Sequence, residues 1–119
     1  DMIVLKFGGT SVGKPERLKK VGELVTGTPG KKIVVLSALS GTTNALVSIG
    51  SHLMAGDVDK AEADIAALEK HYEGYISDLF TGEASHAIGK EIERRLAALR
   101  EVAIIAANRP HPMCMGCCL

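Results

Sequence analysis

Lys6, Gly8, Gly9, Thr10 and Ser11 bring a cation, two glycines and two hydroxyls together in one short stretch. Ahead of them runs Ile3-Val4-Leu5, with Phe7 just beyond the lysine. A short apolar run closed by glycines predicts a buried strand. A lysine in such a strand is costly unless its ammonium reaches a polar site. Glycines without Cβ atoms can take positive φ and let a ligand approach the backbone. Pro15 suits the first turn of a helix. Strand, cation, glycine turn, hydroxyl pair and helix N-terminus together favour a bound anion, phosphate first, through successive amides, a helix dipole and a lysine. Position alone also fits a Lys6 that snorkels to solvent, glycines that only turn the chain, and hydroxyls that only cap the helix.

A second glycine and hydroxyl stretch, Ser40-Gly41-Thr42-Thr43, follows the β-branched run Lys32-Ile33-Val34-Val35-Leu36-Ser37. Between the two runs, residues 15–26 predict a helix with Leu18, Val21, Leu24 and Val25 on its apolar face, ended by Thr26-Gly27-Thr28-Pro29-Gly30. Strand, helix and strand make a βαβ unit with an expected right-handed crossover. Continuous rather than alternating hydrophobicity in the second run predicts a parallel strand covered on both faces. Both loops then follow the carboxyl ends of their strands, where open α/β sheets bind ligands.

Three more helices complete the prediction. The first runs from Ala45 to Met54, with Leu46, Ile49, Leu53 and Met54 inward. Asp57 is placed to cap the second, whose stripe is Ile65, Leu68, Tyr72, Tyr75, Ile76 and Leu79. After Thr81-Gly82, a helix from about Ser85 to Ala107 carries Ile88, Ile92, Leu96, Leu99, Val102 and Ala106. Two long amphipathic helices in succession predict an antiparallel pair.

Lys6 to Gly13 (K-F-G-G-T-S-V-G) resembles the N-terminal signature of the aspartokinases, in the amino-acid kinase family. Val34 to Asn44 (V-V-L-S-A-L-S-G-T-T-N) resembles that family's next motif, in the same order and at a similar spacing, and the likeness covers roughly residues 2–107. It implies an α/β class, a partial amino-acid-kinase-type three-layer fold with a parallel βαβ start followed by a helical section. It implies ATP, with Mg²⁺ arriving through the nucleotide, and phosphorylation of the aspartate side-chain carboxylate. By resemblance Lys6 is the catalytic lysine on the transferred phosphoryl group. Gly8, Gly9, Thr10, Ser11 and Ser37 are phosphate-binding, and Thr43 and Asn44 belong to the aspartate side. A valine at Gly9 is expected to block the phosphate. Residues 1–108 are read as the N-terminal part of the kinase domain, without the downstream aspartate and adenine residues of the family. Activity of this stretch alone is expected to be weak or nil. The alternatives are a non-catalytic, self-associating fragment and a kinase acting on glutamate, acetylglutamate or carbamate.

Gly8-x4-Gly13-Lys14 mimics a P-loop, but Pro15 stands where the metal-binding hydroxyl belongs. His52, His71, His86 and His111 show no ligand spacing, and Glu91, Glu93, Arg94 and Arg95 read as a solvated face, so no protein-held metal is expected. In residues 109–119, Cys114-x-x-Cys117-Cys118 is half a metal pattern, and Pro110 and Pro112 end the helix. That tail is expected to be disordered or non-native.

Composition narrows the classes further. Basic and acidic residues number 14 each, which excludes the surplus a nucleic-acid or acidic-membrane binder needs. At 3% aromatic residues, base-stacking platforms are not expected. Hydrophobic residues at 46% favour a folded core over disorder. No apolar run spans a bilayer and no secretory pattern opens the chain, so the cytoplasm is the expected location. Small-molecule substrates and a homo-oligomer are the expected partners.

Overall fold

The structure is a computed structural model and describes residues 1–108; the expectations for the cysteine-rich tail lie outside them. The element order is β1 (Met2–Phe7), α1 (Pro15–Gly27), β2 (Lys31–Leu36), α2 (Thr42–Met54), α3 (Val58–Leu79) and α4 (Gly82–Ala107). β1 and β2 pair in parallel, in a register that runs from Met2 opposite Lys31 to Phe7 opposite Leu36. The ladder extends one step past β2, because the Ser37 amide donates to the Phe7 carbonyl at 3.2 Å. The first loop therefore leaves β1 at the level where the second leaves β2.

The core sits among the helices. Ile49 of α2, Ala61, Ile65 and Leu68 of α3, and Leu96 and Ala103 of α4 form one buried cluster, flanked by Ala45, Leu53, Tyr72, Ile92 and Leu99. α3 is central to it, packing on α2, α4 and α1. Asp57 caps α3, accepting from the Lys60 amide at 3.3 Å. That bond, ahead of the Lys60 ammonium, holds the Asp57 carboxyl below its ordinary range. Arg100 of α4 donates to Glu62 at 2.9 Å and to Glu69 at 2.6 Å, fixing the α3–α4 pair from the outside.

Several expectations need correction. α2 starts at Thr42 rather than Ala45, because Gly41 takes a φ of +87° and turns the chain so that the Ala45 amide already reaches the Gly41 carbonyl. α4 starts at Gly82, also with positive φ, rather than near Ser85. Its inward face is Ile92, Leu96, Leu99 and Ala103, while Val102 is exposed. The small Ala103, and not the branched residue before it, meets the neighbouring helices. Leu24, Leu46 and Met54 are exposed rather than inward. β2 is not covered on both faces: Ile33, Val34, Val35 and Leu36 are all substantially exposed, with Leu36 at 52%. A two-stranded sheet with its helices gathered on α3 leaves both strands half bare.

Candidate functional site

The two glycine loops stand side by side. A Cβ on Gly13 would lie 3.1 Å from the Gly9 carbonyl oxygen and 3.3 Å from the Ser40 Cβ, so glycine is what lets the first loop close against itself and against the second. A Cβ on Gly9 would meet the Ser37 Oγ at 3.9 Å, an ordinary contact, and one on Gly8 would meet nothing within 4 Å. Neither Gly8 nor Gly9 takes positive φ, contrary to expectation; the positive values fall at Gly30, Gly41, Gly56 and Gly82. What Gly8 and Gly9 contribute is open backbone. Among the described residues the Ser11 amide turns inward, to the Gly8 carbonyl at 3.0 Å, while the Gly9 and Thr10 amides have no backbone acceptor. Free amides beside a helix start are what an anion requires.

Lys6 occupies the last-but-one position of β1, opposite Val35, with an exposed side chain. Arg17, in the first turns of α1, donates to the Thr10 carbonyl at 2.9 Å. Beside the first loop lies a groove of about 350 Å³ to which Thr10, Ser11, Arg17 and Lys20 contribute. The cations on that side raise the local potential although the whole chain is neutral. Thr10 and Ser11 do not cap α1: its N-cap is Lys14, with Pro15 next, and no side chain bonds the free amides there.

In the second loop, the Ser37 hydroxyl donates to the Ala38 carbonyl at 3.2 Å and is exposed. Thr43 and Asn44 lie in the first turn of α2, both exposed. The N-cap is Gly41, so Thr43 is not a cap. Asn44 faces a groove of about 450 Å³ that also takes in Ser40, Gly41, Ser48, Asp64 and His71. Asp64 accepts from the Ser48 hydroxyl at 2.7 Å and lies 3.4 Å from the His52 Nε2, which ties α2 to α3. The structure sets Gly9 beside Ser37, puts Thr10 and Ser11 in one groove and Asn44 in another, while Lys6, Gly8 and Thr43 line neither groove.

Two anchors escaped the sequence. The Tyr75 hydroxyl donates to the Val12 carbonyl at 2.6 Å in a buried contact, and the Tyr72 and Thr42 hydroxyls share a hydrogen bond of 2.7 Å. The helical spacing of Tyr72 and Tyr75 places them only in the apolar stripe of α3 and gives no sign of what their hydroxyls reach. Burial, with a smaller effect of the Glu16 carboxylate, pushes the Tyr75 phenol above the ordinary 10.0. The unfolded chain ionises at the ordinary value while the fold holds the phenol neutral. The stabilisation is complete below that value and is lost as pH rises through the raised one. Urea midpoints are therefore expected to fall above about pH 10, and Tyr75→Phe is expected to flatten that fall. An unchanged alkaline slope in the variant would contradict the buried phenol.

A sequence profile described as the amino acid kinase family matches residues 1–114. The chain belongs to the amino acid kinase family. Within that family its similarity is to aspartokinases. Aspartokinase 2, chloroplastic, of Arabidopsis thaliana is 35% identical over 103 residues, covering 83% of this chain and 18% of the relative. Lysine-sensitive aspartokinase 3 of Escherichia coli is 31% identical over 117 residues, covering 94% of this chain and 24% of the relative. The crystal structure of E. coli aspartokinase III in complex with aspartate and ADP (R-state) superposes with a TM-score of 0.74 at 28% identity, over 94% of this chain and 24% of that one. This amino acid kinase chain therefore spans between 18% and 24% of the length of these relatives, and its partial α/β fold is that of the aspartokinase structure.

Proposed function

We propose that this amino acid kinase segment supplies the phosphoryl and aspartate loops of an aspartate kinase, which uses ATP to phosphorylate the aspartate side-chain carboxylate. The carrying observation is the convergence of the two glycine loops at the carboxyl ends of adjacent parallel strands, with Ser37 bonded to Phe7 across them. The ligands of the E. coli aspartokinase III crystal structure, aspartate and ADP, support the same substrate pair.

In this reaction a carboxylate oxygen of aspartate attacks the γ-phosphorus, the bond from that phosphorus to the bridging oxygen breaks, and ADP leaves. The acceptor is already an anion, so no base is required, and the task of the protein is charge neutralisation and alignment. Lys6 faces the transferred phosphoryl group. Gly8, Gly9, Thr10, Ser11 and Ser37 surround the phosphates, and Thr43 with Asn44 orients aspartate. Among the described residues no set of three carboxylate, imidazole or thiol groups could hold a metal. In this reading Mg²⁺ would enter bound to the nucleotide and would add charge neutralisation there. Residues 1–108 form the N-terminal part of the kinase domain, and the working location is the cytoplasm. Among the described residues no helix is long and apolar enough to cross a membrane.

Hydroxylamine trapping of the acyl phosphate tests this reading, in the longest protein the gene encodes, with Mg-ATP and either aspartate, glutamate or acetylglutamate. Hydroxamate from aspartate alone is the expected result; product from another acceptor, or none, would overturn it. The chain as it stands is also expected to self-associate, since Met2, Val4 and Leu36 leave apolar sheet surface open. Light scattering should give a mass above 12.5 kDa, and a monodisperse monomer would contradict this.

A further inference from the structure

α3 carries the only two tyrosines of the chain, Tyr72 and Tyr75, one helical turn apart. Each reaches a different glycine loop. Tyr75 bonds the carbonyl of Val12, the residue after Ser11, from 63 positions away, and Tyr72 bonds the hydroxyl of Thr42, the residue before Thr43, from 30 positions away. Neither helix that follows a loop has a side-chain cap of its own; apart from Arg17 of α1, which holds the Thr10 carbonyl of the first loop, the side-chain anchors from the helices come from α3. α3 is also the best-buried helix, with Ala61, Ile65, Leu68, Tyr75 and Ile76 all inside. Both contact points flank the candidate ligand residues directly.

We propose that Tyr72 and Tyr75 are a paired brace that fixes the two glycine loops at one separation and orientation, and are positioning residues for phosphoryl transfer. The proposal rests on the reading that one loop holds the phosphoryl group and the other aspartate. Phosphoryl transfer depends on alignment of donor and acceptor, and a misplacement on the order of 1 Å costs on the order of 10²-fold in rate. Two hydroxyls on one rigid turn of helix couple the loops in a way that two independent caps would not. Phenylalanine at either position keeps the ring and removes the bond.

Hydrogen exchange read by mass spectrometry on the whole chain tests the brace without any ligand. Tyr75→Phe is expected to speed exchange about ten-fold at the Ser11 amide, and Tyr72→Phe at the Ser37 and Thr42 amides, the loop amides that have backbone acceptors, on the scale of one lost hydrogen bond, with residues 92–103 unchanged. Should either phenylalanine variant fail to fold, Thr42→Val removes the second contact from the loop side and should reproduce Tyr72→Phe, while Thr42→Ser restores it. Loop exchange unchanged, or raised equally in α3 and α4, would overturn the brace. Calorimetric titration of the longest protein the gene encodes with Mg-ATP, and separately with aspartate, reads the positioning role. Tyr75→Phe should weaken ATP about ten-fold and leave aspartate unaltered, and Tyr72→Phe the reverse. Equal losses for both ligands, or none in variants whose loops exchange faster, would overturn positioning. If the wild-type form of that protein binds neither ligand, the proposed function of this segment and the positioning role resting on it are defeated, while the exchange result would still decide the brace.

Discussion

Lys6→Ala is expected to lower phosphoryl transfer to aspartate by about 10²–10³-fold, the scale of removing one preorganised electrostatic donor. The loss should appear in kcat and in kcat/KM alike, because the charge that Lys6 meets is developed in the transition state and is weaker in bound ATP. The structure gives no sign that the fold needs this ammonium: it is exposed at the end of β1 and enters no ion pair among the described residues. Kinetics should therefore change while the urea midpoint stays put. Steady-state rates in the longest protein the gene encodes make the check. A variant within a few-fold of wild type would return Lys6 to the role of a lysine that only reaches solvent.

Ile65→Ala is the complementary case, large for the fold and indirect for the site. Ile65 is fully buried at the centre of α3, in the cluster shared with Ile49, Ala61, Leu68, Leu96 and Ala103. Truncating a buried isoleucine removes its transfer free energy and leaves a cavity, about 2–5 kcal/mol together. That is a large share of the roughly 5–15 kcal/mol that holds a typical domain, so the variant should unfold at far lower urea with an unchanged slope. A cost below about 1 kcal/mol, well under the range for buried truncations, would mean that α2, α3 and α4 do not close on this residue. The loops should loosen with it, since both phenol anchors ride on α3.

The parts legible in the sequence are those set by local pattern. The runs Ile3-Val4-Leu5 and Ile33-Val34-Val35 announced two strands, and the glycine breaks announced where they end. The order of cation, glycines and hydroxyls around Lys6 marks the candidate site by residue type alone. Features that depend on the third dimension were not legible. α2 begins at Thr42 because Gly41 adopts a left-handed backbone, and nothing in the pattern distinguishes that from a longer loop. Val102 matches the helical period of α4 better than Ala103 does, yet Ala103 is the residue that packs. Coverage of a strand depends on neighbours, so continuous apolar residues in β2 could not say how bare it stands in this chain. The hydroxyls of Tyr72 and Tyr75 were hidden in an apolar stripe, because the same residue type serves packing and anchoring.

Titrating the isotopically labelled protein, in the longest form the gene encodes, with Mg-ATP, and following its backbone amides by NMR, tests most directly whether the first glycine loop and Ser37 form a phosphate site. Shift changes concentrated at Gly8, Gly9, Thr10, Ser11 and Ser37, and lost in Lys6→Ala, are the result expected. A folded spectrum in which those amides stay still while others move, or in which none moves at millimolar nucleotide, would contradict the site.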